Sequence, residues 1–362
     1  AGAWRHRPSL APEAPVTVQE TLAGALYKLA EDSREGGGAA LLVPHLEELD
    51  HTLRRLMDCG SGTSPSPGRF PASEVLCLVV AAAPPEAGPT LLRVLENALA
   101  EDDNGALPMV AACVTWIGDN EGLEPEMVAA CVERVRRTLE RPSAAAAREE
   151  ACVVLSSLAA NGVPLGLDDG LVAALGADMA SPEDTLAVCA CGAAGDLWRS
   201  ADPDLVARSA PMLDGLARCL ARRPLSLECL VAACGAVGDV ALGSEESRPP
   251  PLNELLTAVW AGAEHVLEST EDAPDDESRG AVADAVIEVI TALAHGASTG
   301  LAELLQGHRR QLVGFASRLV PALNQEGRER LANMLGDLCQ NGTPDMARAL
   351  LEEDGVRAAV RA

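Results

Sequence analysis

Apolar positions recur at helical spacing along most of the chain. Leu205, Met212, Leu213, Leu216 and Leu220 fall on one helical stripe, interrupted only by Ser209. Pro211 lies inside it and should kink the helix or break it in two. Ser181-Pro182-Glu183-Asp184 reads as an N-cap, a proline at the first helical position and a capping-box acid. Asp202-Pro203-Asp204 and Thr343-Pro344-Asp345 repeat the device. Asn161-Gly162, Gly243, His295-Gly296 and Asn341-Gly342 read as C-caps. These signals predict helix pairs. First helices fall near 123–141, 166–179, 203–222, 250–269 and 303–323. Second helices fall near 144–160, 182–199, 226–242, 277–294 and 326–340, and a last, single helix runs from Pro344 to Ala362. Upstream, 16–32, 39–58, 73–83 and 86–101 read as helical. Residues 59–72 and the acidic stretch Glu268 to Ser278 read as loops.

The pairs repeat. Residues 190–196, Ala-Cys-Gly-Ala-Ala-Gly-Asp, match 233–239, Ala-Cys-Gly-Ala-Val-Gly-Asp, at six of seven positions and an offset of 43. Trp116-Ile117-Gly118-Asp119 and Met334-Leu335-Gly336-Asp337 are weaker echoes. The period lies in the ~40–47 residue range of HEAT and armadillo helix pairs. It predicts an all-α HEAT-repeat α-solenoid, a right-handed superhelix of antiparallel helix pairs. The expected organisation is a disordered tail over 1–15, degenerate helical repeats over 16–104, HEAT repeats over 105–343 and a truncated last repeat over 344–362. Glycine inside a helix costs up to ~1 kcal/mol relative to alanine. Gly192, Gly195, Gly235 and Gly238 therefore imply close helix packing.

Composition narrows the core. Hydrophobic residues make up 48% and aromatics 2%, so Ala, Leu and Val must fill it, which disfavours β-sandwiches and barrels. The net charge of −26 repels nucleic acid and anionic membranes and makes a basic polypeptide the natural partner. The cysteines sit in Ala/Leu/Val-rich stretches without a CxxC pair, as small apolar helix residues in a reducing compartment would. The polar start, Ala1 to Pro8, lacks Met and suggests a fragment or processed chain. There is no phosphate-loop or HExxH pattern, His45 and His51 point to different helix faces, and Gly36-Gly37-Gly38 reads as a linker. No catalysis, metal or cofactor is expected.

The Leu186–Leu197 helix, ending Gly195-Asp196-Leu197, resembles a helix in the C-terminal half of the importin-β (karyopherin-β) family. Val237–Leu242 and Leu335-Gly336-Asp337-Leu338-Cys339 resemble later repeats of that family, in order and spacing across 105–350. The first hundred residues match poorly, and the family's final tryptophan-containing helix is absent. The resemblance implies a nuclear transport receptor shared between cytoplasm, nucleus and the nuclear pore. Its partners would be an importin-α-type adaptor or basic cargo, and nucleoporin FG repeats. Ran would dock on an N-terminal half that this chain lacks.

In that family an acidic concave wall of second helices holds an arginine-rich helix. The resemblance assigns this role to Asp119, Glu149, Glu150, Asp184, Asp196, Glu228, Asp239, Asp284, Glu288 and Asp337, with Trp116 and Trp198 stacking on cationic stems. Glu183 and Glu329 lie beside them. Plainer readings stand next to these. First-turn acids favour the helix dipole, and Gly-Asp aspartates can hydrogen bond to a neighbouring repeat. Trp198 can pack in the core, as Trp260 is expected to; Trp4 reads as tail. A generic HEAT scaffold of a phosphatase or trafficking complex is the alternative function.

Overall fold

The computed structural model describes residues 83–100, 106–120, 122–141, 143–162, 165–200, 208–243, 252–268, 276–295, 299–341 and 343–361, with Leu205 and isolated positions between 45 and 81. The expectations for Trp4, the glycine run, the helix at 16–32, most of the helix at 39–58, the 59–72 loop, Asp202-Pro203-Asp204 and most of the acidic stretch after Glu268 lie outside these residues. Among the described residues there is no strand, and no helix is long and apolar enough to cross a membrane. The chain divides into two compact units, Ala1–Glu121 and Gly122–Ala362.

The first unit holds α1 (Gly88–Ala100), entered through a 3₁₀ turn at Pro85–Ala87, and α2 (Leu107–Asn120). The two pack together through Leu91, Val94 and Leu95 on α1 and the apolar face of α2. The period assigned α2 to the array starting at 105; by its contacts it groups with the first unit.

The second unit is an α-solenoid. It contains α3 (Pro125–Glu140), α4 (Ala145–Ala160), α5 (Asp169–Met179), α6 (Asp184–Arg199), α7 (Ala210–Leu220), α8 (Leu227–Gly243), α9 (Leu252–Glu268), α10 (Asp276–His295), α11 (Thr299–Gly307), α12 (Arg309–Leu319), α13 (Gln325–Gln340), α14 (Pro344–Glu352) and α15 (Asp354–Arg361). The second helices α4, α6, α8, α10 and α13 pack in succession as one layer; α3, α5, α7 and α9 succeed one another in the other. Between the layers lies a core of Leu, Val and Ala, with Cys152, Cys191, Cys219 and Cys234 fully buried in it. Burial pushes the Cys131 and Cys189 thiols up to about 12, so they stay protonated and behave as small apolar groups.

Each second helix lies within two residues of its sequence-predicted span. The first helices differ more. Of the two outcomes read for Pro211, a kink or a break, the structure shows the break, with the chain out of helix at Ser209. Pro211 sits in the first turn of α7, where its missing N–H costs nothing, and Ser209 is the residue before the helix. The predicted 303–323 helix is broken at His308 into α11 and α12, with a 3₁₀ turn at Val320–Ala322. The expected single helix from Pro344 breaks at Glu353, whose backbone is extended, and its halves α14 and α15 pack on each other and on α12. Ser181 does not cap α6, which starts at Asp184. Its hydroxyl instead accepts from the Glu183 N–H at 3.1 Å, turning the chain before the helix. Gly162 follows α4 in the left-handed region, φ 65°, as the C-cap reading requires.

The glycines divide by face. A β-carbon on Gly195 would lie 2.6 Å from the Asp239 carboxylate and 3.5 Å from the Ala236 backbone; one on Gly238 would lie 3.4 Å from the Ala292 methyl. These two do allow close packing of α6 on α8 and α8 on α10. Gly192 and Gly235 do not, because nothing lies within 4 Å of their added β-carbons. The tightest approach is between α5 and α7, at Gly176 and Gly215. A β-carbon on Gly215 would lie 2.1 Å from the Gly176 carbonyl oxygen.

Candidate partner-binding surface

The Gly-Asp aspartates sit in the last two turns of the second helices, where the helix dipole opposes an anion. Asp196, Asp239 and Asp337 each lie beside a polar side chain near the end of the preceding second helix, and the first two accept hydrogen bonds from it. The Ser156 hydroxyl on α4 donates to Asp196 on α6. The Arg199 guanidinium on α6 donates to both oxygens of Asp239 on α8, at 2.8 Å each from Nη2, with Nε at 3.0 Å from Oδ1. His295 on α10 places Nε2 3.6 Å from Asp337 on α13. In the first two cases the donor lies 40 residues upstream of the aspartate, so the rungs follow the repeat.

The Asp239 rung is the most deeply placed. Asp239 is buried, whereas 63% of the Arg199 side chain is exposed. Burial pushes the Asp239 carboxyl above its usual range, against the pull of Arg199. Arg199→Met keeps the apolar stem but leaves the carboxylate without its charge partner. We expect a loss of about 1–3 kcal/mol, mostly regained by adding Asp239→Asn, which needs no counter-charge. The check is a double-mutant cycle of thermal unfolding. Additive losses would show that the rung carries no coupling.

The remaining carboxylates are distributed along the same layer. On α4, Glu149 accepts from the Thr185 hydroxyl of α6 at 2.7 Å, and Glu150 is half-buried beside it. Asp184 is half-exposed in the first turn of α6 and pairs with Arg222. Burial works to raise its carboxyl, but hydrogen bonds from Ser226 and Arg222 outweigh that and hold it below the usual range. Glu228 on α8 and Glu288 on α10 are exposed. Asp284 on α10 lies against Gly327, and burial raises its carboxyl. The cations within this row are outnumbered. Arg199 is surrounded by Asp239, Asp196 and Glu288, and Arg330 by Asp284, Glu326 and Glu288. Residues 299–362 carry eight acids and eight arginines, so the whole −26 excess lies upstream of α11.

Two residues do not join this surface. Trp198 is 3% exposed and packed in the core. Trp116 is 5% exposed in the first unit, where its indole N–H donates to the Ala83 carbonyl at 3.1 Å. Both indoles bury a large apolar area and, like Trp260, serve the core. Asp119 is exposed on α2, also in the first unit, and Glu329 is exposed on α13. Sequence reasoning missed the donors Ser156 and Arg199 and the neighbouring His295. A polar residue one repeat before each Gly-Asp aspartate was the available signal.

No family model and no curated protein matches the chain. Solved structures do. A crystal structure of importin-β aligns with 94% of this chain and 44% of its own length, at 17% identity and a TM-score of 0.60. A crystal structure of a Kap121p mutant aligns with 94% of this chain and 35% of its own length, at 12% identity and a TM-score of 0.50. The fold is that of the importin-β and Kap121p solenoids. The chain spans less than half the length of either.

Proposed function

We propose that this chain is a transport-receptor-like solenoid that captures a basic, arginine-rich helix on the exposed face of the α4–α6–α8–α10–α13 layer. The observation that carries the reading is the acid excess on that face, where Glu149, Glu150, Asp184, Glu228 and Glu288 occupy four successive second helices. Spacing by repeat suits an extended cationic partner, since one helix pair offers too few charges to hold it. Asp196, Asp239, Asp284 and Asp337 set the floor of the row and add to its potential while serving the fold. The role is binding, without catalysis. An importin-α-type adaptor or basic cargo is the proposed ligand, with FG repeats as further partners and shuttling between cytoplasm and nucleus as the setting. The likeness of fold to importin-β supports this reading.

The experiment is a titration of the full chain with a labelled arginine-rich helical peptide across salt. The Debye length falls from ~10 Å at 0.1 M to ~3 Å at 1 M, so exposed pairs should weaken steeply. Absence of binding at ~0.1 M salt would refute the proposal. A scaffold role is the second reading, and one observation favours it: two Gly-Asp aspartates, Asp196 and Asp239, are hydrogen-bonded within the fold, by Ser156 and Arg199.

A further inference from the structure

His308 is the corner between α11 and α12. Its N–H donates to the Leu304 and Leu305 carbonyls, and its carbonyl accepts from Leu312. The residue is 7% exposed. The Trp260 indole N–H on α9 points at His308 Nδ1 at 3.1 Å, and His308 Nε2 lies 3.0 Å from the Asn253 side-chain oxygen, also on α9. These partners fix the protonation state. An indole nitrogen can only donate, so Nδ1 must be the acceptor. Nε2 therefore carries the hydrogen and donates to the Asn253 oxygen. Phe315 of α12 closes the site, its ring edge-on to Trp260 with centroids 5.6 Å apart.

A second proton on the imidazole would place an N–H on Nδ1, facing the indole N–H, in a site that offers no compensating anion. The partners from α9, Asn253 and Trp260, are neutral, as is Phe315 from α12. Glu254 on α9 and Arg309 and Arg310 on α12 are exposed. Burial alone lowers the His308 pKa, and no charged group contributes.

We propose that Trp260, His308 and Asn253 form a proton-operated latch that holds α9 to the α11–α12 corner while His308 is neutral and releases it on acidification. The sign follows from linkage. The folded-state pKa lies below the unfolded value of ~6.5, so the latch contributes fully above that pH and is lost as pH falls toward the folded value. Release would loosen α12 against the repeat that precedes it and so alter the end of the helix stack without unfolding α4–α8.

The test uses the full chain labelled with nitrogen-15 on histidine. Long-range proton–nitrogen spectra report each imidazole's tautomer and titration, and His308→Gln assigns the signal by its loss. The latch predicts an Nε2–H tautomer that stays neutral at about pH 6, where an ordinary histidine is mostly protonated. It also predicts that amide exchange in α9 and α12, corrected for intrinsic rate, quickens roughly tenfold or more between about pH 7.5 and pH 5. In His308→Gln that change should shrink to about twofold or less. An Nδ1–H tautomer, an ordinary titration midpoint, or an equal acid response in the variant would overturn the latch. If His308→Gln does not fold, the wild-type spectra and exchange decide alone.

Discussion

Gly215→Ala should destabilise the second unit by roughly 2 kcal/mol or more, although alanine is the better helix former by about 1 kcal/mol. The added methyl would sit 2.1 Å from the Gly176 carbonyl oxygen and 2.8 Å from its carbon, against backbone that no rotamer change can move. Gly176→Ala meets the Pro211 carbonyl oxygen at 2.3 Å and should behave alike. The contrast is with Gly192→Ala and Gly235→Ala, whose added methyls meet nothing within 4 Å. These should be neutral or stabilising by up to ~1 kcal/mol each. Thermal unfolding by far-ultraviolet circular dichroism checks the ranking. In a solenoid each repeat contacts only its neighbours, so the damage should be local. Amide exchange should quicken in α5 and α7 well before α13. Equal melting of all four variants would mean that α5 and α7 do not meet backbone to backbone.

The second helices were legible because the Ala-Cys-Gly-Ala-(Ala/Val)-Gly-Asp motif anchors their register, and a small-residue helix admits few alternatives. The breaks in the first helices were legible only where chemistry marks them. Pro211 announces a boundary, though not whether the chain kinks or restarts. Nothing local demands a break at His308. The corner is held by Trp260 from another repeat, a tertiary contact that periodicity does not carry. The glycines show the same limit. Gly192 and Gly195 are three residues apart on one helix, yet Gly195 meets α8 and Gly192 meets open space. Sequence gives the spacing but not the rotation of the helix against its neighbour. The tryptophans of the candidate site failed for a related reason. Trp198 follows the Gly-Asp pair by two residues, which turns it to the opposite side of α6, into the core. Among the carboxylates, the residue type was readable and the partner was not. Asp239 needed Arg199, forty residues away, to become part of the fold.

The acidic row itself is tested most directly by removing two half-buried and two exposed charges together. The variant Glu149→Gln, Glu150→Gln, Glu228→Gln and Glu288→Gln keeps side-chain size and leaves every Gly-Asp rung in place. An exposed pair contributes up to about 1 kcal/mol, so the four should weaken binding of the arginine-rich helix by roughly 30-fold or more at low salt. The control neutralises Glu126, Asp214, Glu254 and Glu264, which are exposed on α3, α7 and α9 of the other layer. It changes net charge equally and should weaken binding only a few-fold, through the long-range field. Both variants are titrated with the same peptide, and both must melt like the parent chain. A loss confined to the first variant is the predicted result. Equal losses in both, or none in the first, would contradict a binding face on the second-helix layer.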